Sequence, residues 1–357
     1  MQFRNHRKLI SIDDIEAITG GRNVAEEYFD MSPEYNFNDR DIYVTGPIVK
    51  AMRDSFDLFW AHKISKDPKR PARPVGEDLE ASQRAWDKKV EKARAFLEES
   101  PEETFIRSRS AQLAPAVLES YKVHDCPIAT FSTDKPGGNL HQRLKKHYLD
   151  NYRYLRQTLS AKTLEVDRAY TLSSPYLIHN KRTRKVMEEL LKKKVDIKVY
   201  TNSLGSTDAT YVAANLYLYI KAWAHFGIKI SLHDGKFLHI GPAMTEEAEK
   251  ARWGEHDKSQ VYETSTHSEI MIGTYNLDNR SNFYNTEMAL FCKGNEELSQ
   301  ELKSNILRRA DMGLTISQDG KAVDKDGNAR NIYAADKAKI VFMKFITLPS
   351  WILNFLL

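Results

Sequence analysis

The chain opens on short apolar alternations rather than helical periods. Leu9-Ile10-Ser11-Ile12 predicts a strand, Asp13-Asp14 a turn, and Ile15 to Thr19 a second strand. Asp41 to Thr45 predicts another strand. Gly46-Pro47 opens a helix to about Trp60, with Ile48, Met52, Phe56 and Phe59 on one face. Lys63 to Pro74 is a basic, proline-bearing linker. Residues 77–99 form a charged helix with Leu79, Trp86, Val90, Phe96 and Leu97 inward, and 102–165 is mixed with no sign of chemistry.

From Ala169 the pattern changes. Tyr170-Thr171-Leu172, Asp196 to Tyr200, and Ile228 to Leu232 are strands separated by helices over about 183–194 and 207–226. Such alternation implies βαβ units on a helix-covered sheet. Met288 to Cys292 is a buried strand, followed by a helix over about 295–309 and hairpin turns at Asp319-Gly320 and Asp326-Gly327. Asp324-x-Asp326 lacks the later ligands of a calcium loop. The resulting division is 1–60, a linker region 61–165, then 166–311, then 312–357 as a hairpin and apolar tail.

With 41% apolar residues among 357, a large core is available. A net charge of +4 fits anionic partners but carries little weight alone. Cys126 and Cys292, far apart and outside any CxxC pair, argue against a disulfide scaffold and a cysteine zinc site. No secretory signal precedes the first strand. Residues 340–357 are strongly apolar but broken by Lys344, Pro349 and Asn354. That suits an interfacial membrane anchor better than a span, with a helix packed on the core as the rival reading.

One constellation occurs twice. His6-x-Lys8, Asp13 and Gly20-Gly21-x-Asn23 match His256-x-Lys258, Glu263 and Gly273-Thr274-x-Asn276. A histidine or lysine taken singly is most often an ordinary surface residue. His233 and His267 are of that kind, since neither has the downstream acid and glycine. The pairing reverses those odds for His6, Lys8, His256 and Lys258.

The chemistry this suits is phosphodiester transfer. One imidazole attacks phosphorus while the other protonates the leaving oxygen and later activates the acceptor alcohol. The two lysines neutralise charge on the phosphoryl oxygens. Asn23, Asn276 and Thr274 are candidate phosphate donors, and Gly20-Gly21 would let backbone approach the phosphate. No metal or other cofactor is called for. Each imidazole needs an acceptor on its second nitrogen. Glu287 and Asp41, each opening a strand downstream of a motif, are the candidates; Asp13, Glu263 and Gly273 read as structural.

These passages resemble the phospholipase D superfamily, and within it the bacterial cardiolipin synthases. The resemblance also covers Asp39-Arg40-Asp41, Thr45-Gly46-Pro47, Ser174-Pro175-Tyr176 and Asn279-Arg280-Ser281. The run Thr201-Asn202-Ser203-Leu204-Gly205-Ser206-Thr207-Asp208 and the apolar tail are similar to the cardiolipin synthase C branch. It implies an α/β fold of two phospholipase D-like halves, mixed sheets flanked by helices, with the first half here lacking its N-terminal βαβα segment. It further implies a phosphohistidine intermediate formed on His6, with His256 as acid/base. Phosphatidylglycerol would be a substrate and phosphatidylethanolamine a further candidate. The expected location is the periphery of the bacterial cytoplasmic membrane. Glu263 in place of aspartate, Thr274 in place of serine, and a longer hairpin through Thr264 to His267 depart from the family pattern. A hydrolytic phospholipase, a nuclease, and a non-catalytic membrane-bound remnant are the alternatives. The absence of a basic, aromatic-lined groove beyond the 63–73 linker argues against nucleic acid as a partner.

Overall fold

The computed structural model describes residues 4–66, 77–99, 101–137, 151–238 and 242–330. Residues 340–357, read as a membrane anchor, and most of the basic linker lie outside them. The chain divides into a unit of residues 1–62 with 125–357 and a unit of residues 63–124. The second unit holds helices α2 (Glu77–Glu99) and α3 (Pro101–Ser120).

In the first unit, β1 (Leu9–Ile12), β2 (Glu16–Gly20) and β4 (Asp41–Thr45) make an antiparallel sheet in the order β1-β2-β4. Asp13 and Asp14 turn the hairpin with φ of 51° and 56°, a left-handed conformation that aspartate tolerates better than most residues. The inner face presents Leu9, Ala17 and Val44 to α1 (Ile48–Trp60), which answers with Val49 and Met52. β3 (Tyr35–Asn38) leaves this sheet and pairs in parallel with β9 (Arg252–Glu255).

A nine-stranded mixed sheet carries the rest, in the order β14-β13-β8-β7-β6-β10-β11-β12-β5. Its parallel centre is β6 (Ala169–Ser173), β7 (Asp196–Asn202) and β8 (Lys229–His233). The second motif supplies β10 (Ser259–Glu263), β11 (Ser268–Gly273) and β12 (Met288–Lys293), all antiparallel. The hairpin β13 (Leu314–Ile316) and β14 (Ala322–Val323) closes one edge. β5 (Ile128–Thr133) closes the other against β12.

One face is covered by α4 (Leu155–Glu165), α5 (Lys181–Lys192) and α6 (Thr210–His225). Leu159, Leu190, Leu216 and Trp223 meet Tyr170, Val199, Tyr262 and Phe291 there. The other face takes α9 (Glu296–Met312), whose Leu302 and Ile306 pack on Val261, Ile270 and Ile272. Two short helices, α7 (Glu246–Lys250) and α8 (Asn279–Phe283), complete the unit. Local signals fix the starts: Asn180 caps α5 by accepting from Arg182 and Thr183 N–H groups at 3.0 and 2.9 Å. Asn295 caps α9 through Leu298 N–H at 2.8 Å.

Two expectations are corrected. Residues 125–137 and 151–165 are not linker: β5 is a sheet strand and α4 a core helix. An edge strand with one face in solvent gives a weak pattern, which is why the sequence hides it. Cys126 and Cys292 also form a disulfide, clipping the start of β5 to the end of β12. Sequence distance says nothing about partners on neighbouring strands.

Candidate active site

Each histidine is placed by a short parallel pairing with the other motif's chain. Residues 4–6 run beside 285–287, with Thr286 N–H donating to Arg4 C=O at 2.9 Å and His6 N–H to Thr286 C=O at 3.0 Å. This sets His6 Nδ1 2.8 Å from Glu287 Oε2. In the same manner β3 runs beside β9, and His256 N–H donates to Asn38 C=O at 2.7 Å. That sets His256 Nδ1 2.6 Å from Asp39 Oδ2. The carboxylates are therefore crossed: each motif's acid holds the other motif's imidazole.

This corrects the choice of Asp41. Its carboxylate bonds Arg22 Nε at 2.7 Å, because Asp41 lies in β4 opposite Gly20, whereas Asp39 sits in the turn that reaches His256. Asp39 is the residue that sequence reasoning missed; the signal was its place in Asp39-Arg40-Asp41. Glu287 contacts His6 and not the histidine of its own motif. The glycine pair is corrected too. A Cβ on Gly21 would lie 2.2 Å from Asp39 Oδ1; the space serves the carboxylate. At Gly273 a Cβ would meet Met288 C=O at 2.4 Å, so that glycine permits strand approach.

Glu287 is fully buried, and His6 with the hydroxyls of Thr274 and Ser281 holds it ionised against the opposing effect of burial. Ser281 Oγ donates at 2.7 Å and Asn285 Nδ2 at 3.2 Å. Thr274 is thus committed to Glu287 rather than to a phosphate. From the next strand, Asp134 accepts the Glu287 backbone N–H at 2.9 Å and returns its own N–H to Glu287 C=O at 2.9 Å. Burial pushes the Asp134 carboxyl up to about 7.

The lysines curl back on their own histidines. Lys8 Nζ donates to His6 C=O at 2.8 Å and Lys258 Nζ to His256 C=O. Burial lowers Lys8 to about 8, with Glu287 opposing, and burial also lowers Lys258. His256 is driven down to about 4 by burial and by Lys258, and His6 adds to the effect, so the two imidazoles share one electrostatic site. With Asp39 ionised, the fitting tautomer is Nδ1–H donating to Asp39, which leaves the His256 Nε2 lone pair as an acceptor 3.1 Å from Lys258 Nζ.

Tyr28 and Phe37 stack at 4.6 Å and both rings meet the His256 ring at 5.1 Å. Asn23 bonds to Tyr28 at this wall. Asn276 has a buried carboxamide oxygen with no hydrogen-bond partner; turned over, the amide offers N–H to an anion. Asp13 stays in its hairpin turn, and Glu263 bonds Lys303 of α9 at 2.7 Å; both stand on strand ends. Beneath the site, Arg40 pairs with Asp257 and Arg309 with Glu255. Among the described residues no group of three or more histidines, cysteines or carboxylates could hold a metal ion.

Two His-x-Lys motifs, one leading into the three-stranded sheet and one into the mixed sheet, meet with exchanged carboxylates, and this arrangement resembles the phospholipase D type. Among relatives, an uncharacterized protein of Helicobacter pylori is 23% identical over 295 residues, 80% of this chain and 53% of its own length. Cardiolipin synthase C of Escherichia coli is 24% identical over 323 residues, 85% of this chain and 61% of its own. The chain thus spans about half to three-fifths of the curated relatives it matches. The fold is similar to that of phosphatidylserine synthase from Haemophilus influenzae, with a TM-score of 0.58, 13% identity, and 99% of this chain against 71% of that one covered. No family model matches. The chain is similar to the phospholipase D superfamily, on its cardiolipin synthase-like side.

Proposed function

We propose that the chain is a phosphatidyltransferase of the cardiolipin synthase type, acting on glycerophospholipids such as phosphatidylglycerol through a phosphohistidine. The observation that supports it is the crossed pairing, which fixes both Nδ1 atoms on carboxylates and assigns the chemistry to Nε2 of each ring, that of His256 lying 3.1 Å from Lys258 Nζ. In the first step one Nε2 attacks phosphorus, the bond to the leaving alkoxide breaks, and the other imidazolium gives that alkoxide its proton. In the second, an incoming lipid hydroxyl gives its proton to the neutral imidazole. Its oxygen then attacks phosphorus and the P–N bond breaks. Lys8 and Lys258 balance the phosphoryl charge in both, and Asn23 and Asn276 are its remaining candidate donors.

The family resemblance gives the attack to His6 and the proton to His256. His256, at about 4, is then neutral in the free protein and takes up its proton as the anionic phosphate arrives. Calorimetry of inorganic phosphate binding in buffers of different ionisation enthalpy measures this. Uptake approaching one proton is expected; none would reverse the two roles. Purified protein is incubated with vesicles of phosphatidylglycerol and phosphatidylethanolamine, beside plasmid DNA. New cardiolipin, absent with His6→Ala, supports transfer. DNA nicking alone would mean a nuclease, and no turnover a non-catalytic protein. Peripheral membrane attachment through residues 340–357 belongs to the same proposal; unchanged vesicle sedimentation after their deletion would sink it.

A further inference from the structure

The parallel strands β6, β7 and β8 end side by side, with Ser173 opposite Tyr200 and Asn202 opposite His233. β10 enters at that same end, Ser259 opposite Ser173, so His256 and Lys258 stand over this edge. Loops leaving the carboxyl ends of such strands are where α/β sheets bind ligands. The loop after β6 carries Tyr176 and the loop after β7 carries Asp208, and neither residue takes part in the phosphoryl chemistry above.

Tyr176 Oη donates to the Asp208 carboxylate, with its two oxygens at 3.0 and 3.2 Å. The loop that presents Asp208 is fastened to the site. Asn202 Nδ2 donates to Glu255 C=O and its Oδ1 accepts Glu255 N–H, both at 2.7 Å, one residue before His256. Ser206 Oγ donates to Asn202 Oδ1 at 2.9 Å, and Tyr35 Oη donates to Ser206 C=O at 2.6 Å. Tyr35 meets Phe37 edge-on at 4.7 Å, and Phe37 meets His256. An aromatic row therefore runs from the reacting imidazole to the Asp208 loop. Asp208 itself is exposed, yet its charge is felt by Tyr28, Tyr35 and Lys258.

A fixed carboxylate beside a site for an anionic phosphate disfavours binding unless the substrate supplies a donor to meet it. We propose that Asp208, aimed by Tyr176, is a specificity-determining residue that accepts hydrogen bonds from the lipid headgroup, selecting headgroups with N–H or O–H donors. This rests on the transfer reading above. The donor is an ammonium or a hydroxyl, and the test separates them.

The 357-residue chain is assayed on vesicles of phosphatidylethanolamine, phosphatidylglycerol or phosphatidylcholine with the same acyl chains, choline having no donor. Preference for the first two over the third is expected, and Asp208→Ala lowers it about tenfold, the effect of losing one charged hydrogen bond. Asp208→Asn keeps an acceptor without charge. Selective loss of the ethanolamine lipid identifies the ammonium, and retention of both lipids identifies the hydroxyl. Tyr176→Phe lowers the preference by less. An unchanged three-lipid ratio in Asp208→Ala overturns the assignment while leaving the transfer reading intact. A wild-type chain inactive on all three lipids overturns the transfer reading, and this one with it.

Discussion

The two motif hairpins repeat one chemistry on unequal supports. Lys8 matches Lys258, and Asp39 matches Glu287 as the crossed acid, so Ile12 corresponds to Tyr262 and Tyr43 to Phe291. Tyr262 and Phe291 are 2% and 0% exposed beneath α4 and its neighbours; Ile12 and Tyr43 are 48% and 57% exposed. β10 has β6 and β11 as neighbours, whereas β1 pairs with β2 alone among the described residues. The lesson is that the site needs each hairpin's inner face and its crossed contact, while the outer face contributes to stability on one side only.

The largest effect breaks the crossed contacts themselves. Glu287→Gln and Asp39→Asn each replace the carboxylate that sets an imidazole tautomer by a neutral amide that can present N–H to Nδ1, and turnover falls on the order of 10⁴-fold. Histidine ring NMR chemical shifts at one pH separate the two: Glu287→Gln moves the His6 resonances and Asp39→Asn those of His256. If each moves the histidine of its own motif, the crossing is wrong.

Next in size is the unequal support. Phe291→Ala empties a core site and costs about 3–5 kcal/mol, whereas Tyr43→Ala at the matching position costs about 0.5 kcal/mol or less. Urea unfolding of both variants measures this, and equal losses would mean that the outer face of β4 is covered in solution.

These differences mark what was legible in the sequence. The motif strands and βαβ run could be read because buried faces impose periods of two and 3.6 residues. β5 could not, because Ile128 to Thr130 are exposed on an edge. His6 and His256 were visible as types at fixed spacing. Asp39 was obscured because the nearest strand start, Asp41, fits the same local pattern, and only the parallel run of β3 beside β9 separates them. Asp134 carries no motif at all; its role exists only through the β5–β12 pairing.

A third difference is burial of the imidazoles: the His6 side chain is 21% exposed and that of His256 6%. His256 falls from 6.5 to about 4 on folding. A depressed value means the unfolded chain binds the proton first. The contribution is thus complete above about 6.5 and is lost as pH falls through about 4, at up to about 1.4 kcal/mol per pH unit. The difference in unfolding free energy between the wild-type chain and His256→Gln, measured from pH 7 to 4, follows that slope, because buried carboxyls such as Asp134 titrate with the opposite sign in both. A variant with the wild-type slope would show that His256 is not the group responsible.

The smallest effect tests how the two acids are held. Glu287 takes side-chain donors from Thr274, Ser281 and Asn285; Asp39 takes the Arg40 backbone N–H at 2.8 Å beside its histidine. Ser281→Ala removes one donor of three, so the carboxylate stays in place and loses about 1 kcal/mol of hydrogen bonding. Turnover should fall about fivefold, far less than in Glu287→Gln, because the His6 contact survives. A loss as large as that of Glu287→Gln would make Ser281 indispensable to the acid. The apparent redundancy around Glu287 would then be a single fragile arrangement, no better secured than Asp39.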